Sequence, residues 1–229
     1  MPLRTRSACC PWALTKTLIL LHALIVDCPC ADPDMLQVGN LQGSLAAAES
    51  RTHYGAWCIV SSPLILGVDL RNDTTMASIW PYISNKEAIQ VNQQWAGDPG
   101  RFLNLSSSSS SSAPSSSSSS SSVVAAVEVW AKLQPGGAVA LLAFNTDAVT
   151  HSAPMSVDLS AVWPAGVTPP AGWCSSSKGE GKGKGKACSV RDIWKQEDSG
   201  QISAGGAWQL QTLAPHDSAF VLISPPAVH

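Results

Sequence analysis

Two carboxylates stand two positions apart near the start of the sequence, in the run Asp32-Pro-Asp-Met-Leu. The proline restricts Asp32 to extended backbone, and in an extended chain residues i and i+2 face the same side, roughly 6 to 7 Å apart at their Cα atoms. A retaining glycoside hydrolase uses two carboxyl groups about 5 to 5.5 Å apart, one as nucleophile and one as acid/base. The spacing alone therefore allows Asp32 and Asp34 to act as such a pair.

A second polar group follows the apolar run Leu64-Ile-Leu-Gly-Val. Asp69 and Arg71 could orient a ligand there, although an internal ion pair or a helix cap is the commoner role. Tryptophans could serve as platforms for sugar rings, but at helical positions they more often belong to a core. These tryptophans are Trp57, Trp80 and Trp95.

Composition argues against several other kinds of chemistry. In the C-terminal part of the chain His151, His216 and His229 are scattered, so no Ser/His/Asp order there supports a catalytic triad. The Cys28-Pro-Cys run is followed by no second cysteine pair and makes a poor zinc site, so we expect no metal and no cofactor. The net charge of −2 gives no reason to expect nucleic acid, and the basic run at 182–186 is typical of a solvated loop rather than an anion site.

The first part of the chain alternates between strand-like and helix-like patterns. After the extended segment at 32–36, Ser44 is a candidate N-cap for a helix to about Val60, in which Cys58 would be a buried thiol. The apolar run at 64–68 predicts a parallel strand buried on both faces, and two helices follow at about 74–82 and 85–94. This order is that of the last two β/α units of a (β/α)₈ barrel.

The chain changes character after residue 105. Residues 106–122 are almost pure serine, which has no apolar surface to offset the entropy of ordering it, so the tract predicts a disordered linker. Short alternating segments follow, and a Pro135-Gly-Gly turn between two of them predicts a hairpin. Such strands with Gly and Pro punctuation indicate an antiparallel β-sandwich. The segments are 127–131, 138–144, 155–159, 190–194, 207–213 and 219–223.

Several segments resemble one enzyme family in order and spacing. Those that resemble the closing part of the barrel of glycoside hydrolase family 27, the α-galactosidases, are Asp32-Pro-Asp-Met-Leu-Gln-Val-Gly-Asn, Pro63-Leu-Ile-Leu-Gly-Val-Asp-Leu-Arg and Asn85-Lys-Glu-Ala-Ile-Gln-Val-Asn-Gln. Those that resemble the family's C-terminal sandwich are Glu128-Val-Trp, Leu142-Ala-Phe-Asn, Arg191-Asp-Ile-Trp and Leu213-Ala-Pro-His. The resemblance implies metal-free, retaining hydrolysis of terminal α-linked galactose.

The resemblance also assigns roles to the carboxylates. Asp34 and Met35 match positions that contact the sugar, and Asp32 matches a supporting carboxylate; alternatively, Asp34 caps the loop at 39–43. The family places its nucleophile in a Lys-Tyr-Asp motif and its acid/base in an Arg-x-x-x-Asp segment, and neither occurs in this sequence. We therefore expect an α-galactosidase fragment that is inactive on its own, with an α-galactoside as the ligand of the intact fold.

These observations divide the chain into four parts. They are a signal-peptide-like or unrelated segment at 1–30, a barrel fragment at 31–105, the serine linker at 106–122, and a β-sandwich at 123–229 with a Gly/Lys-rich loop at 175–187. Basic residues before the apolar run Trp12–Val26 have the layout of a signal peptide. The alternatives are unrelated sequence joined to a truncated reading frame, or a barrel strand. The run is shorter than the roughly 20 residues of a membrane span.

A genuine signal would make the protein secreted, vacuolar or lysosomal, and would give two other features a meaning. Cys174 and Cys188 bracket the Gly/Lys-rich loop and could form a disulfide that closes about 15 residues and is worth roughly 3 kcal/mol. Asn72 and Asn104 begin glycosylation sequons, of which Asn104 is the more accessible.

Two hypotheses compete with the inactive enzyme fragment. The sandwich could be a non-catalytic module that binds carbohydrate or protein and keeps this ability when residues 1–105 are deleted. Alternatively, the sequence could come from an incomplete gene model whose upstream exons encode the remainder of an active enzyme.

Overall fold

The computed structural model describes residues 36–40, 45–105, 127–152, 154–170, 173–174, 187–203 and 205–226. Several predictions lie outside the described residues. They concern the signal-like segment, the serine linker, most of the Gly/Lys-rich loop, and the residues Asp32, Asp34 and Met35.

Three helices form the first part of the fold: α1 at Ala47–Ile59, α2 at Asp73–Ile83 and α3 at Lys86–Gln93. They agree with the three predicted helices to within a few residues, but the predicted N-cap of α1 at Ser44 is wrong. The N-cap is Ala46, because the Glu49 carboxylate accepts a hydrogen bond from its backbone N–H at 2.8 Å. Among the described helices, none is both long enough and apolar enough to cross a membrane.

The predicted barrel strand at 64–68 is reduced to a single parallel bridge between Leu36 and Leu66. The Leu36 N–H donates to the carbonyl oxygen of Ile65 at 3.1 Å. Because parallel segments need a crossover connection, α1 runs between the two, and the unit retains the β-α-β order of a barrel. A buried parallel strand has neighbours on both edges, whereas within the described ranges Leu66 pairs only with Leu36.

The rest of the fold is antiparallel β-structure. The strands are β1 at Arg101–Phe102, β2 at Val127–Leu133, β3 at Val139–Asn145, β4 at Met155–Asp158, β5 at Cys188–Asp192, β6 at Glu197–Ile202, β7 at Ala207–Leu210 and β8 at Ser218–Ser224. A six-stranded sheet has the order β1-β2-β3-β8-β5-β6, and β4 pairs with β7 in a second sheet. The predicted hairpin is confirmed: β2 and β3 pair in register from Val127 with Asn145 to Leu133 with Val139.

Alternate residues of the central strands face two separate cores. In β3, the odd-numbered residues 139–143 belong to the core between the two sheets, and the even-numbered residues 140–144 belong to a core shared with the helices. Strands β2 and β3 are buried along their whole length. Since side chains alternate between the faces of a strand, the six-stranded sheet is the middle of three layers, between the helices and the two-stranded sheet.

Glycines permit the closest approaches between these layers. A Cβ added to Gly55 of α1 would lie 2.9 Å from the indole ring of Trp194, and one added to Gly100 would lie 2.0 Å from the carbonyl oxygen of Ile59. Such distances are below any real Cβ contact. The helical part is therefore packed directly on the sandwich, and the two share one core.

Candidate functional site

The structure describes the chain directly after the predicted sugar contacts. Leu36, the residue after Met35, is buried and anchored by its bridge to Leu66. A turn over Gln37–Asn40 follows: the Asn40 backbone N–H donates to the Gln37 carbonyl at 3.0 Å, and its Nδ2 donates to Gln37 Oε1 at 2.8 Å. Gly39 has a φ of 78°, a conformation that favours glycine. The chain beside residues 34 and 35 is thus held in a defined turn.

A histidine that the sequence analysis did not single out lies beneath this turn. His53 is 1 % exposed, and its Nε2 accepts a hydrogen bond from the Gln37 backbone N–H at 3.1 Å. Its ring lies against Trp57, with 4.0 Å between the ring centroids. Desolvation by burial lowers the pKa of His53 to about 4. A neutral imidazole therefore supports the segment that follows the predicted sugar contacts.

Asp69 and Arg71 pair with each other at the surface. The Arg71 Nε and Nη2 each lie 3.0 Å from a carboxylate oxygen of Asp69, and the hydrogen bonds with Arg71 lower the pKa of Asp69. The two side chains are 55 % and 90 % exposed for Asp69 and Arg71 respectively. The two residues form an ion pair, but it lies at the surface and not inside the protein as the expected internal pair would.

The tryptophans divide into one buried and two exposed residues. Trp57 is buried, as expected of a core residue, but Trp80 and Trp95 are 58 % and 60 % exposed, so the core interpretation is wrong for these two. Helix α2 buries only the stripe of Thr75 and Ile79, and Trp95 follows the end of α3.

Helix α1 is tied to the turn before β8 by polar contacts. Arg51 forms a salt bridge with Asp217 through Nε and Nη2, and its Nε lies 3.1 Å from the carboxylate. The Thr52 hydroxyl donates to the His216 carbonyl oxygen at 2.8 Å. His216, which follows Pro215, is a turn residue with a φ of 56°. These bonds join α1 to the turn before β8.

Helix α3 is joined to the sandwich at both of its ends. At the N-terminus, the buried Asn85 caps the helix and donates from Nδ2 to the Ile193 carbonyl at 2.8 Å. Next to it, Arg191 binds Glu87 with Nη2 at 2.7 Å. At the other end, Lys132 of β2 is fully buried, and its ammonium donates to the carbonyls of Val91 and of Asn92, the latter at 3.1 Å. A cation there satisfies the last carbonyls of the helix.

Burial shifts the pKa values of two groups in this region. Desolvation lowers the pKa of Lys132 to about 8 and raises the pKa of the nearby thiol of Cys58 well above its ordinary value. Cys58 is a buried free cysteine, as predicted, and its thiol is held in the protonated, unreactive form.

The remaining predicted residues lie away from this region. Cys174 and Cys188 form a disulfide with 5.4 Å between their Cα atoms. The Asn72 side chain accepts a hydrogen bond from the Thr75 N–H at 3.1 Å and so caps α2, whereas Asn104 is exposed. Within the described ranges, no group of three or more His, Cys, Asp or Glu side chains is placed to hold a metal ion.

Two family models match the chain. The model described as "Alpha galactosidase A" matches residues 16–94, and the one described as "Alpha galactosidase C-terminal beta sandwich domain" matches residues 124–223. The first match begins before residue 31, where the sequence analysis placed the start of the barrel fragment. The second extends from β2 into β8.

The curated relatives that match the chain include three α-galactosidases, of which two align with most of it. Alpha-galactosidase 3 of Arabidopsis thaliana is 29 % identical over 204 residues, which cover 86 % of this chain and 36 % of the relative. An α-galactosidase of Oryza sativa subsp. japonica is 26 % identical over 197 residues, with 85 % and 36 % covered. The relative from Cyamopsis tetragonoloba is 43 % identical over 72 residues, 31 % of this chain and 16 % of its own length. The chain thus spans little more than a third of the first two relatives.

Solved structures share the fold. α-Galactosidase I from Mortierella vinacea superposes with a TM-score of 0.58 at 24 % identity and covers 86 % of this chain and 40 % of its own. The Saccharomyces cerevisiae α-galactosidase solved with raffinose gives a TM-score of 0.59 at 19 % identity, with 85 % and 47 % covered. At these identities the likeness establishes the fold alone.

The fold and the matches define a class of protein: part of a glycoside-hydrolase barrel joined to a C-terminal β-sandwich. Within that class, the chain belongs to the α-galactosidase family, glycoside hydrolase family 27, and corresponds to the family's C-terminal portion.

Proposed function

We propose that this polypeptide supplies the C-terminal portion of an α-galactosidase, which hydrolyses terminal, non-reducing α-D-galactose residues. The observation that carries the proposal is the anchored segment from Leu36 to Asn40. It follows Asp34 and Met35 directly, and the bridge at Leu66 and the hydrogen bond that the Gln37 N–H donates to His53 hold it in place. A sugar site requires this kind of support, because binding groups act only when their geometry is fixed.

In this proposal Asp34 and Met35 contact the galactose ring, and Asp32 supports them. A carboxylate such as Asp34 can accept hydrogen bonds from two sugar hydroxyls, which suits a binding role. The nucleophile and the acid/base of the retaining mechanism come from other barrel strands, because neither a Lys-Tyr-Asp motif nor an Arg-x-x-x-Asp segment occurs in this sequence. The 229-residue chain alone is accordingly inactive toward galactosides.

The packing favours this proposal over an autonomous binding module. The face of the six-stranded sheet that carries Trp130, Leu142 and Phe144 is buried together with α1 and α3. Deletion of residues 1–105 would expose that face and would leave the Lys132 ammonium without its helix carbonyls. An exposed apolar face of this kind does not suit a separate soluble domain.

The cleft in the sandwich leads to the same conclusion. It has a volume of about 720 Å³ and lies beside β5, β7 and β8, but Arg51 of α1 forms part of its wall. Its charged groups are paired with one another: Arg51 binds Asp217, and Lys195 binds Asp192 at 3.3 Å. A module without α1 would lack Arg51 and would leave the Asp217 carboxylate in the cleft without its ion-pair partner.

Hydrolysis of a nitrophenyl α-galactoside tests the proposal in two arms. In the first, the purified 229-residue chain gives no turnover. In the second, residues 31–229 are joined to the preceding barrel portion of the Arabidopsis thaliana relative, and turnover appears. Replacing Asp34 with Ala in this joined enzyme should lower kcat/KM by about 10- to 100-fold, as expected for lost hydrogen bonds to a charged group. Asp73→Asn, at an exposed carboxylate on α2, is the matched control and should have no effect.

Two results would contradict the proposal. Turnover by the 229-residue chain alone would refute its inactivity. A joined enzyme that unfolds cooperatively, and is therefore folded, but that hydrolyses no galactoside would refute the functional assignment. If Asp34→Ala and Asp73→Asn had the same kinetics as the parent enzyme, the role of Asp34 would be wrong.

We also propose that the protein is secreted or resides in a vacuole or lysosome. The Cys174–Cys188 disulfide supports this location, since disulfides persist in oxidising compartments. Immunodetection of the tagged full-length protein in its own cells tests the proposal, and a cytosolic distribution would refute it.

A further inference from the structure

The imidazole of His53 lies at the junction between α1 and the turn over Gln37–Asn40. It is 1 % exposed, its Nε2 accepts the Gln37 N–H at 3.1 Å, and its Nδ1 is buried without a hydrogen-bond partner among the described residues. Trp57 covers one side of the ring. A buried polar side chain with one nitrogen unsatisfied is costly, so the presence of His53 here calls for an explanation beyond packing.

The hydrogen bond defines the state of the ring. A nitrogen that accepts an N–H bond carries no proton, so His53 is neutral and its proton resides on Nδ1. A positively charged ring would present a donor to the Gln37 N–H and break the contact. Burial, which lowers the pKa of His53 to about 4, keeps the accepting form at neutral pH.

The Gln37 N–H lies between the parallel bridge at Leu36 and the turn over Gln37–Asn40. Gln37 is the third residue after Asp34, and the backbone N–H before it, from Leu36, is bound to the Ile65 carbonyl. Beyond Gln37, the turn closes on its carbonyl through the Asn40 N–H. His53 therefore supplies the link between the parallel bridge and the turn, at a backbone donor that neither of them satisfies.

We propose that His53 is a positioning residue, whose Nε2 fixes the Gln37 backbone and thereby the turn that directly follows Asp34 and Met35, the proposed sugar contacts. This role rests on the proposed function, because it assumes that Asp34 and Met35 contact the sugar. His53 itself does not touch the substrate, and it acts through the backbone N–H of Gln37.

The first test uses the 229-residue chain and measures hydrogen exchange of the Gln37 amide by NMR. Because His53 is the acceptor for this amide, His53→Leu should accelerate its exchange by about 10- to 100-fold. His53→Gln retains a side-chain oxygen able to accept near the position of Nε2 and should restore most of the protection. Thr52→Val is the matched control: it removes a hydrogen bond on the same helix that points to the sandwich, and it should leave Gln37 unchanged.

A spectroscopic signature accompanies the exchange data. The ¹⁵N shifts of the His53 ring at pH 7 should be those of a neutral imidazole protonated on Nδ1. Equal exchange of Gln37 in the parent protein and His53→Leu, or a ring protonated on Nε2, would overturn the proposal. Exchange that rises equally in His53→Leu and Thr52→Val would also overturn it, because general destabilisation would then explain the change.

The second test uses the joined enzyme described above and separates binding from chemistry. His53→Leu should raise KM for the nitrophenyl galactoside several-fold with a smaller change in kcat, and His53→Gln should recover the parent KM. If the Gln37 amide responds but KM does not, the orientation of the sugar contacts is refuted while the α-galactosidase assignment stands. If the joined enzyme is folded but inactive, the assignment fails, and the proposed role toward galactose fails with it, whatever the amide shows.

Discussion

Asn85 has two roles: it caps helix α3, and it forms a hydrogen bond between the barrel fragment and the sandwich. Its replacement should lower the free energy of unfolding by a predictable amount. Its Oδ1 accepts hydrogen bonds from the N–H groups of Glu87 and Ala88, and its Nδ2 donates to the Ile193 carbonyl at 2.8 Å; the residue is 2 % exposed. Loss of an N-cap costs about 1 kcal/mol, and a buried carbonyl left without a donor costs about 1–3 kcal/mol. Asn85→Ala should therefore lower the free energy of unfolding by about 2–4 kcal/mol.

Two variants separate these contributions. Asn85→Asp retains the acceptor for the helix N–H groups but replaces the donor with an oxygen opposite the Ile193 carbonyl, so it should lose the larger part of the stability. Asn72→Ala is the matched control, because Asn72 caps α2 in the same way and its removal should cost only about 1 kcal/mol. Urea unfolding followed by tryptophan fluorescence measures all three variants.

The comparison can refute the reasoning directly. If Asn85→Ala costs no more than Asn72→Ala, the hydrogen bond to Ile193 contributes nothing to stability. If Asn85→Asp is as stable as the parent protein, the donor is not required.

Three other predictions concern pH, redox state and glycosylation. The pKa of His53 is about 4 in the folded protein and 6.5 ordinarily, so between these pH values the unfolded chain binds more protons than the folded one. The free energy of unfolding should therefore fall by up to about 3 kcal/mol as the pH drops from 6.5 to 4. If urea unfolding gave the same pH dependence for the parent protein and for His53→Gln, this prediction would be wrong. Dithiothreitol should lower the free energy of unfolding of the parent protein by about 3 kcal/mol, which is seen as a lower urea midpoint. It should not change the midpoint of a variant with Ser at Cys174 and Cys188. An unchanged midpoint of the parent protein would count against a stabilising disulfide. In a secretory host, Asn104→Gln should abolish an endoglycosidase-sensitive mass shift and Asn72→Gln should not, because Asn72 is engaged as a helix cap; the reverse pattern would refute the assignment.

The elements that the sequence predicted well carry their own local signals. Helix α3 begins at Asn85 because the asparagine side chain caps it, and the β2–β3 hairpin turns at Pro135-Gly-Gly, where Gly136 has a φ of 75°. These signals act within a few residues, so the helix start and the turn can be recognised from the sequence without knowledge of the rest of the fold. The parallel bridge at Leu66 agrees less well with prediction, since the extent of a strand depends on its neighbours.

Strand β6 was not predicted because its residues carry no apolar alternation. Glu197–Ile202 is polar and exposed except at Ile202. It forms a strand because it pairs with β5 along the edge of the sheet. A polar edge strand is protected against aggregation, but its existence is decided by its partner.

The second buried face of the sheet was also hidden from sequence reasoning. The alternation in Val127–Leu133 places Glu128 and Lys132 on one face, which is typical of a face in contact with water. The structure buries that face as well, because α1 and α3 cover it, and Lys132 is used to cap α3. His53 was missed for the same reason, since a single polar residue in a helix gives no sign of a partner distant in sequence.

Strand β8 has a position that governs how the protein is made. It lies between β3 and β5 in the middle of the six-stranded sheet, although the ribosome delivers it after both. Until it emerges, two strand edges are open and Phe220 is missing from the core beneath the helices. The six-stranded sheet therefore cannot be completed until its last strand has been synthesised, and open strand edges of this kind favour aggregation. A premature stop codon before Ser218 would leave β3 and β5 without the strand that joins them, and would thereby divide the six-stranded sheet.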